Sequence, residues 1–291
     1  MNATGLHLAH KNSQNVYVVR GFSLIEMIVV IVVMGVLATG ISTFINFGTQ
    51  VYTDATARGN VVSSARFAIE RLNREIRTAV PNSVRINANS LTGETTAKQC
   101  IEFTPIVLST IYTDIAVAPE PASNEIKVIA FDETLFNSGF SPNLKVGVYI
   151  LDTDIEKFYD GTSNKIFTLS NNTIAKSGNE WTLTLDVTGE FPENSPTERL
   201  YLFNTSVSYC VQNSKLTRHQ NYIRDADNIP TSVGVLMAEN ITMHDGLTLI
   251  PPFGLTEATQ LRNSMVLIKL AFESNFESIV FNNEIQVSNA L

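Results

Sequence analysis

The stretch Arg20-Gly21-Phe22-Ser23-Leu24-Ile25-Glu26 opens a long apolar segment and decides how this chain is organised. Between Leu24 and Phe47, Glu26 is the only ionisable residue, and there is no proline. A helix of this length extends about 36 Å, which exceeds the roughly 30 Å of a bilayer's hydrocarbon core. The segment therefore predicts a single membrane-spanning helix.

The distribution of charge predicts the orientation of that helix. The chain has 20 basic and 28 acidic residues, a net charge of −8. The first 21 residues hold Lys11 and Arg20 and no acid, so the remainder has 18 basic and 28 acidic residues, a net charge of −10. Because positive flanks stay in the cytoplasm, we expect a cytoplasmic N-terminus and an exported body. The acidic body also argues against general nucleic-acid binding.

Three kinds of N-terminal segment fit this pattern. A secretory signal peptide has a shorter apolar run before a small-residue cleavage site, and Val36-Leu37-Ala38 offers such a site. An ordinary membrane anchor is the second kind, and a prepilin signal is the third. Glu26 favours the prepilin signal, because a carboxylate in a membrane helix costs about 2.5–3.5 kcal/mol and so needs a partner or a purpose. The simpler alternative is that Glu26 reaches the membrane interface from the start of the helix.

The residues Gly21-Phe22-Ser23-Leu24-Ile25-Glu26 resemble the signal of type IV pilins and type II secretion pseudopilins. The resemblance implies cleavage after Gly21 by a prepilin peptidase/N-methyltransferase, with Phe22 becoming the methylated N-terminus. It also implies that Glu26 pairs with the N-terminal amine of a neighbouring subunit. The implied partners are other minor and major pilins and an inner-membrane assembly platform. The implied location is the bacterial inner membrane, with a single span and a periplasmic globular domain.

Two features depart from the common pattern of this family. The leader of 21 residues is long, and the apolar segment lacks the helix-breaking proline of many major pilins, with Thr43 near that point. A helix without proline bends less, which favours a minor subunit over the main filament protein.

After Phe47 the apolar residues recur at spacings of three and four, which predicts an amphipathic continuation of the helix. The stripe consists of Val51, Ala55, Val62, Ala65, Ile69, Leu72, Ile76 and Ala79. We expect the helix to end at Pro81, because the residue before a proline avoids helical angles.

The rest of the chain has the pattern of β-strands separated by turn residues. The predicted strands cover 100–108, 125–131, 145–151, 165–169, 181–187, 199–211, 266–272 and 278–287. Tyr209-Cys210-Val211 and Leu216-Thr217-Arg218 flank a turn and predict a hairpin. Two stretches, 105–124 and 243–263, are expected to be long loops.

These patterns predict an α+β, pilin-like fold, with a long half-transmembrane helix packed on a β-rich domain of antiparallel sheets. The expected divisions are a cleaved leader at 1–21, a transmembrane half at 22–47, an amphipathic half at 48–80 and a β-rich periplasmic domain at 81–291.

The two cysteines, Cys100 and Cys210, follow the apolar segment. An exported domain meets an oxidising compartment, so we expect a disulfide between them. The alternative is two buried free thiols.

Two further segments, the end of the predicted helix and the predicted hairpin, also resemble known proteins. The segment from Arg66 to Arg77 followed by Val80-Pro81-Asn82-Ser83-Val84 is similar to minor pilins of mannose-sensitive haemagglutinin (MSHA) pili. The hairpin from Tyr209 to Arg218 resembles J-type pseudopilins. These resemblances imply a minor pilin that assists assembly or priming of a type IV pilus. The alternatives are a J-type pseudopilin of type II secretion and a pilus-tip adhesin that binds through its long loops.

No pattern for catalysis, a cofactor or a metal is found in the sequence. Nucleotide-binding and nucleophile motifs are absent, and His219 and His244 are isolated from other ligand types. The run Asp152-Thr153-Asp154-Ile155-Glu156 has alternating acids, but Lys157 stands where a calcium loop needs glycine. We therefore expect a structural subunit and not an enzyme.

Overall fold

One long helix opens the described part of the chain. The computed structural model describes residues 21–89, 98–132, 134, 144–150, 154–223, 228–245, 248–256, 263–274 and 277–287. The helix α1 spans Leu24–Arg77 and includes the whole apolar segment. The described residues divide into two units, one ending at Ala55 and the other beginning at Thr56.

The two parts of α1 differ in burial. Every residue from Gly21 to Thr56 is exposed. In the second unit, one face of the helix is buried, and its buried side chains recur at helical spacing as Val61, Ala65, Ala68, Ile69, Leu72 and Ile76. The predicted stripe is correct from Ala65 to Ile76, while Val51 and Ala55 are exposed in this chain.

The helix ends at Arg77, three residues before the predicted end at residue 80. The amides of Thr78 and Ala79 donate to carbonyls three residues earlier, at 3.2 and 3.0 Å, so the last turn tightens. The main chain then bonds to another segment, because the Val80 amide donates to the Thr104 carbonyl at 2.8 Å. The Ile106 amide likewise donates to the Thr78 carbonyl at 2.8 Å. These long-range hydrogen bonds end the helix before the residue whose backbone angles Pro81 restricts.

The second unit is rich in β-structure. Its strands are β1 Arg85–Asn89, β2 Lys98–Phe103, β3 Ile106–Asp114, β4 Ser123–Ile129, β5 Lys145–Val148, β6 Ile166–Ser177, β7 Glu180–Gly189, β8 Arg199–Phe203, β9 Val207–Gln212, β10 Lys215–Gln220, β11 Val235–Glu239, β12 Ile241–Thr242, β13 His244–Asp245, β14 Thr248–Leu249, β15 Phe253–Thr256, β16 Ser264–Ser274 and β17 Glu277–Val287. A short helix, α2, spans Ile155–Asp160. A long N-terminal helix followed by antiparallel sheets is the α+β architecture that the sequence predicts.

The buried face of α1 shares a hydrophobic core with two sheets. The first is five-stranded with the order β1-β2-β9-β10-β11, and it contains the predicted hairpin as β9 and β10. The second contains β12, β15, β16 and β17, with β16 paired to the other three. Tyr209, Phe103 and Phe272 are among the largest fully buried side chains of this core.

A closed six-stranded barrel is inserted into the five-stranded sheet. The barrel has the order β3-β4-β7-β6-β5-β8 and a hydrophobic core of its own. Its residues lie between β2 and β9 in the chain. These two strands pair directly with each other, and Phe103 of β2 lies opposite Val207 of β9. The chain therefore leaves the sheet at the end of β2, builds the barrel, and returns beside the point where it left.

The exit and return correct two predicted strands. The stretch 100–108 is divided into β2 and β3 around Thr104 and Pro105, and the stretch 199–211 is divided into β8 and β9. At the crossing, the hydroxyls of Thr104 and Ser206 lie 3.0 Å apart. Each predicted strand is in fact two, because the chain changes sheets in its middle.

The predicted loops were also wrong in part. The stretch 105–124 contains β3, whose Ser109, Thr113 and Asp114 face solvent on the outside of the barrel. Their polarity gives this strand the composition of a loop. The stretch 243–263 contains β13, β14 and β15, and β15 pairs with β16.

Candidate functional site: the N-terminal helix and its supports

The predicted cleavage position lies at the start of α1. Gly21 and Phe22 precede the helix, and the Phe22 side chain is 78% exposed. A peptide bond that precedes regular structure is accessible to a peptidase without unfolding the helix.

Ser23 is a helix cap that the prediction did not identify. Its hydroxyl accepts a hydrogen bond from the Glu26 amide at 3.2 Å, and its carbonyl accepts from the Met27 amide at 3.3 Å. A serine followed three residues later by glutamate is the pattern of a capping box, so the sequence contained this signal. Ser23 therefore fixes where the helix begins and where Glu26 lies.

Glu26 occupies the first turn of α1 and is exposed. The positive end of the helix dipole stabilises a carboxylate there by about 0.3–1 kcal/mol. This is less than the 2.5–3.5 kcal/mol that the carboxylate costs within a membrane. The cap therefore positions the charge but does not compensate for its burial in lipid.

The segment after Glu26 has the properties of a membrane span. Among the described residues, α1 is the one helix long and apolar enough to cross a membrane. Two of its hydroxyls are satisfied internally. The hydroxyl of Thr39 donates to the Val36 carbonyl at 2.8 Å. The hydroxyl of Thr43 donates to the Thr39 carbonyl at 3.0 Å. These bonds lower the cost of placing hydroxyls in an apolar environment.

An ion-pair network joins α1 to the predicted hairpin. The Glu75 carboxylate accepts from Arg218 on β10 at 2.9 and 3.1 Å and from Arg71 at 3.1 Å. Burial opposes the ionisation of Glu75, but the hydrogen bonds from Arg218 and Arg71 outweigh it and lower the pKa of this carboxyl. Burial raises the pKa of the neighbouring Tyr209, so the phenol stays protonated. Arg71 and Glu75 of the helix and Arg218 of the hairpin are thus parts of one contact.

Cys100 and Cys210 lie opposite each other on β2 and β9. Both are fully buried beside Ile229, and the structure joins them by a disulfide across 110 residues of chain. The bridge lies in the five-stranded sheet, outside the inserted barrel.

A second buried ionic cluster connects the sheet to α2. Arg85 on β1 donates to Glu102 on β2 at 2.7 Å and to Glu156 on α2 at 3.1 Å. The guanidinium also lies 3.7 Å from the ring centroid of Tyr159. Glu102 accepts further hydrogen bonds from Asn87 at 3.2 Å and from Tyr222. Strand β1 was not predicted, because Arg85 and Asn87 do not have the pattern of a buried strand.

The acidic run forms a helix start where it is described. Residues 151–153 lie outside the described residues, and the Asp154 carboxylate accepts from the Glu156 amide at 3.1 Å as the cap of α2.

His219 is buried, with its Nε2 atom 2.9 Å from the Thr217 hydroxyl. Over the described ranges, no three His, Cys, Asp or Glu residues are grouped to hold a metal ion.

The start of α1 matches a known family model. Residues 18–42 match the family model described as the prokaryotic N-terminal methylation motif. No curated protein and no solved structure matches the chain. The matched residues include Gly21, Phe22, Ser23 and Glu26 and most of the exposed apolar helix. The chain therefore carries a type IV pilin-like prepilin signal on its N-terminal helix.

Proposed function

We propose that the chain is a minor pilin that takes part in the assembly or priming of a type IV pilus of the MSHA type. The observation that carries the proposal is the methylation motif at residues 18–42, which opens an exposed apolar helix with one acidic residue. The motif is typical of structural subunits of pilin-like filaments and not of enzymes.

In this proposal the chain is processed at the start of α1. A prepilin peptidase/N-methyltransferase removes residues 1–21 and methylates the amine of Phe22. Residues 22–47 then anchor the mature chain in the inner membrane, with the domain from residue 81 on the periplasmic side. The exposure of Phe22 and the cap at Ser23 support it, because cleavage before the cap leaves the helix intact.

Glu26 supplies the assembly contact. An ammonium group and a carboxylate are each costly in lipid, and they compensate one another when the amine of one subunit meets the carboxylate of the next. Because only one acid is present between Leu24 and Phe47, only one axial register satisfies the pair. The partners are other minor and major pilins and the inner-membrane assembly platform.

The continuous α1 supports a minor rather than a major subunit. The helix runs from Leu24 to Arg77 without interruption and without proline before Pro81. Many major pilins carry a helix-breaking proline in this segment, so a helix that lacks it favours a minor subunit. A J-type pseudopilin of type II secretion would use the same contacts.

The inserted barrel favours a second candidate role, that of a tip adhesin. Residues 106–203 hold 14 acidic and 6 basic residues, a net charge of −8 that equals the net charge of the whole chain. A separately cored, charged module inserted between two directly paired strands is a means of adding a binding surface to a subunit. Replacing residues 106–203 by a short turn would then abolish adhesion and leave piliation intact.

The main experiment replaces Glu26 by Ala and compares it with Ile25→Ala, its exposed neighbour, as the matched control. We expect both variants to insert in the membrane. We expect the amount of the Glu26→Ala variant in sheared filaments to fall by about tenfold or more. Without the carboxylate, the amine of the neighbouring subunit stays unpaired in lipid, and each 1.4 kcal/mol of this cost corresponds to a factor of ten. Wild-type levels of the Glu26→Ala variant in filaments would contradict the role of this carboxylate. Lost secretion with normal piliation would favour the pseudopilin.

A further inference from the structure

The five-stranded sheet ends in a strand that lacks the usual protection of a sheet edge. Within the described ranges, β11 pairs with β10 and with no other strand. Edge strands are commonly protected by charged side chains, because their free hydrogen-bonding groups attract further strands. From Asn228 to Ala238 the sequence has no ionisable residue, and Glu239 at the end of β11 pairs with Lys215 at 3.1 Å.

Apolar side chains are exposed along this edge. Val233 is fully exposed, Val235 is 64% exposed and Leu236 is 48% exposed. Ile223 is 78% exposed, and its carbonyl accepts hydrogen bonds from the amide and hydroxyl of Thr231, two residues before Val233, both at 3.0 Å. We call Ile223, Val233, Val235 and Leu236 the edge patch. Val235 and Leu236 are successive residues of β11, so their side chains project to opposite faces of the sheet. A strand added beside β11 would therefore meet exposed apolar side chains on both faces, and exposed apolar surface of this kind marks an interaction site.

The edge patch borders a groove. The groove has a volume of about 430 Å³, and it lies between β11, where Leu236 lines it, and the second-unit part of α1. Its walls on the helix are the small or polar side chains of Ala57, Asn60, Val61 and Ser64. Small side chains leave room for an extended backbone beside the strand. The register of β10 and β11 shifts at Met237, so regular pairing with an incoming strand is expected in the stretch before that residue.

The charge of the chain selects the kind of partner. The processed chain has a net charge of −10, and two copies of it repel each other. A second copy is therefore disfavoured, and a charged peptide gains nothing from an edge without ionisable residues. The chemistry of the edge fits an extended, uncharged segment that is rich in β-branched and aliphatic residues.

We propose that the edge patch and its groove bind an extended apolar segment of a different pilin-like subunit, which adds a strand beside β11. This inference rests on the proposed function, because it takes the partner from the same filament. It assigns the periplasmic domain a contact that is separate from the contact of Glu26 within the membrane.

The test is site-specific photo-cross-linking in cells that assemble the filament. A benzophenone side chain replaces Val233, and parallel variants carry it at Phe44 in the apolar helix and at Thr188, an exposed position on the barrel. Mass spectrometry identifies each adduct. We expect the Val233 variant to capture a non-identical subunit with its own N-terminal methylation motif, and the Thr188 variant to capture it at least tenfold less.

A second substitution tests the edge itself. Val235→Lys adds a charge at an exposed position, so it should leave the urea midpoint of unfolding unchanged and lower the Val233 adduct at least tenfold. Thr188→Lys is the matched control and should change neither. A Val233 adduct with a second copy, with a protein that lacks the motif, or with nothing would overturn the inference. If Phe44 still yields adducts with other subunits, only this inference fails, whereas loss of adducts at both positions contradicts the proposed function as well.

Discussion

Replacing Arg85 by Met tests whether the buried ionic cluster holds the domain together. The Arg85 side chain is 5% exposed and that of its partner Glu102 is fully buried, with 2.7 Å between Nε and the carboxylate. The substitution approximately preserves the length of the side chain and removes the guanidinium, while Asn87 and Tyr222 still donate to the Glu102 carboxylate. Breaking a buried pair by removing one partner costs about 3–5 kcal/mol, because the other charge stays buried.

Urea unfolding of the full chain in detergent, followed by circular dichroism, measures this cost. With a slope of about 2 kcal/mol per molar urea, the midpoint should fall by roughly 1.5–2.5 M. The control Glu156→Gln removes a partner whose side chain is 59% exposed, and it should cost at most about 1 kcal/mol. The double variant Arg85→Met/Glu102→Leu should recover most of the loss, because no unpaired charge remains. A cost below about 1 kcal/mol for Arg85→Met, or an equal cost for Glu156→Gln, would refute the reasoning.

Two further predictions concern the same domain. Unreduced protein taken from the exported location should show no reactive thiol at Cys100 or Cys210, and two labelled thiols in the native protein would contradict the disulfide. The double variant Cys100→Ser/Cys210→Ser should lower the free energy of unfolding by up to about 4–5 kcal/mol, because the bridge closes a loop of 110 residues. Burial and the charge of Lys98 lower the pKa of His219 below its ordinary value of 6.5. Below pH 6.5 the unfolded chain therefore binds a proton that the folded chain does not. The free energy of unfolding should decrease as the pH is lowered, by at most about 1.4 kcal/mol per pH unit, and His219→Gln should reduce this slope. An unchanged slope in that variant, measured by urea unfolding between pH 7.5 and 5.5, would exclude His219 as its source.

The features that the sequence predicts correctly are those determined by local pattern. The apolar run from Leu24 fixes the helix, and the three- and four-residue spacing from Ala65 to Ile76 fixes its buried face. The hairpin around Cys210 is visible because its strands are adjacent in the chain and have a clear turn between them. The cap at Ser23 was not predicted but could have been, because its signal is the local pattern Ser-x-x-Glu before an apolar run.

The features that the sequence does not predict depend on distant pairs. The barrel closes through the pairing of β3 with β8, in which Thr110 lies opposite Leu200, and no local pattern specifies that partner. The early end of α1 depends on the bond between Val80 and Thr104 for the same reason. Strand β1 was missed because its buried residues Arg85 and Asn87 are polar, so the strand has no hydrophobic alternation. Arg85 is stabilised there by acids from two other elements.

The most direct test of the central claim is the intact mass of the mature protein, purified from membranes and confirmed by sequencing of its N-terminal peptide. The chain is proposed to be a prepilin because of the motif at residues 18–42 and the capped helix that begins after Ser23. The account predicts a protein that has lost residues 1–21 and carries one methyl group on the amine of Phe22. An N-terminus at Met1, or at Thr39 after signal-peptide cleavage, would contradict it.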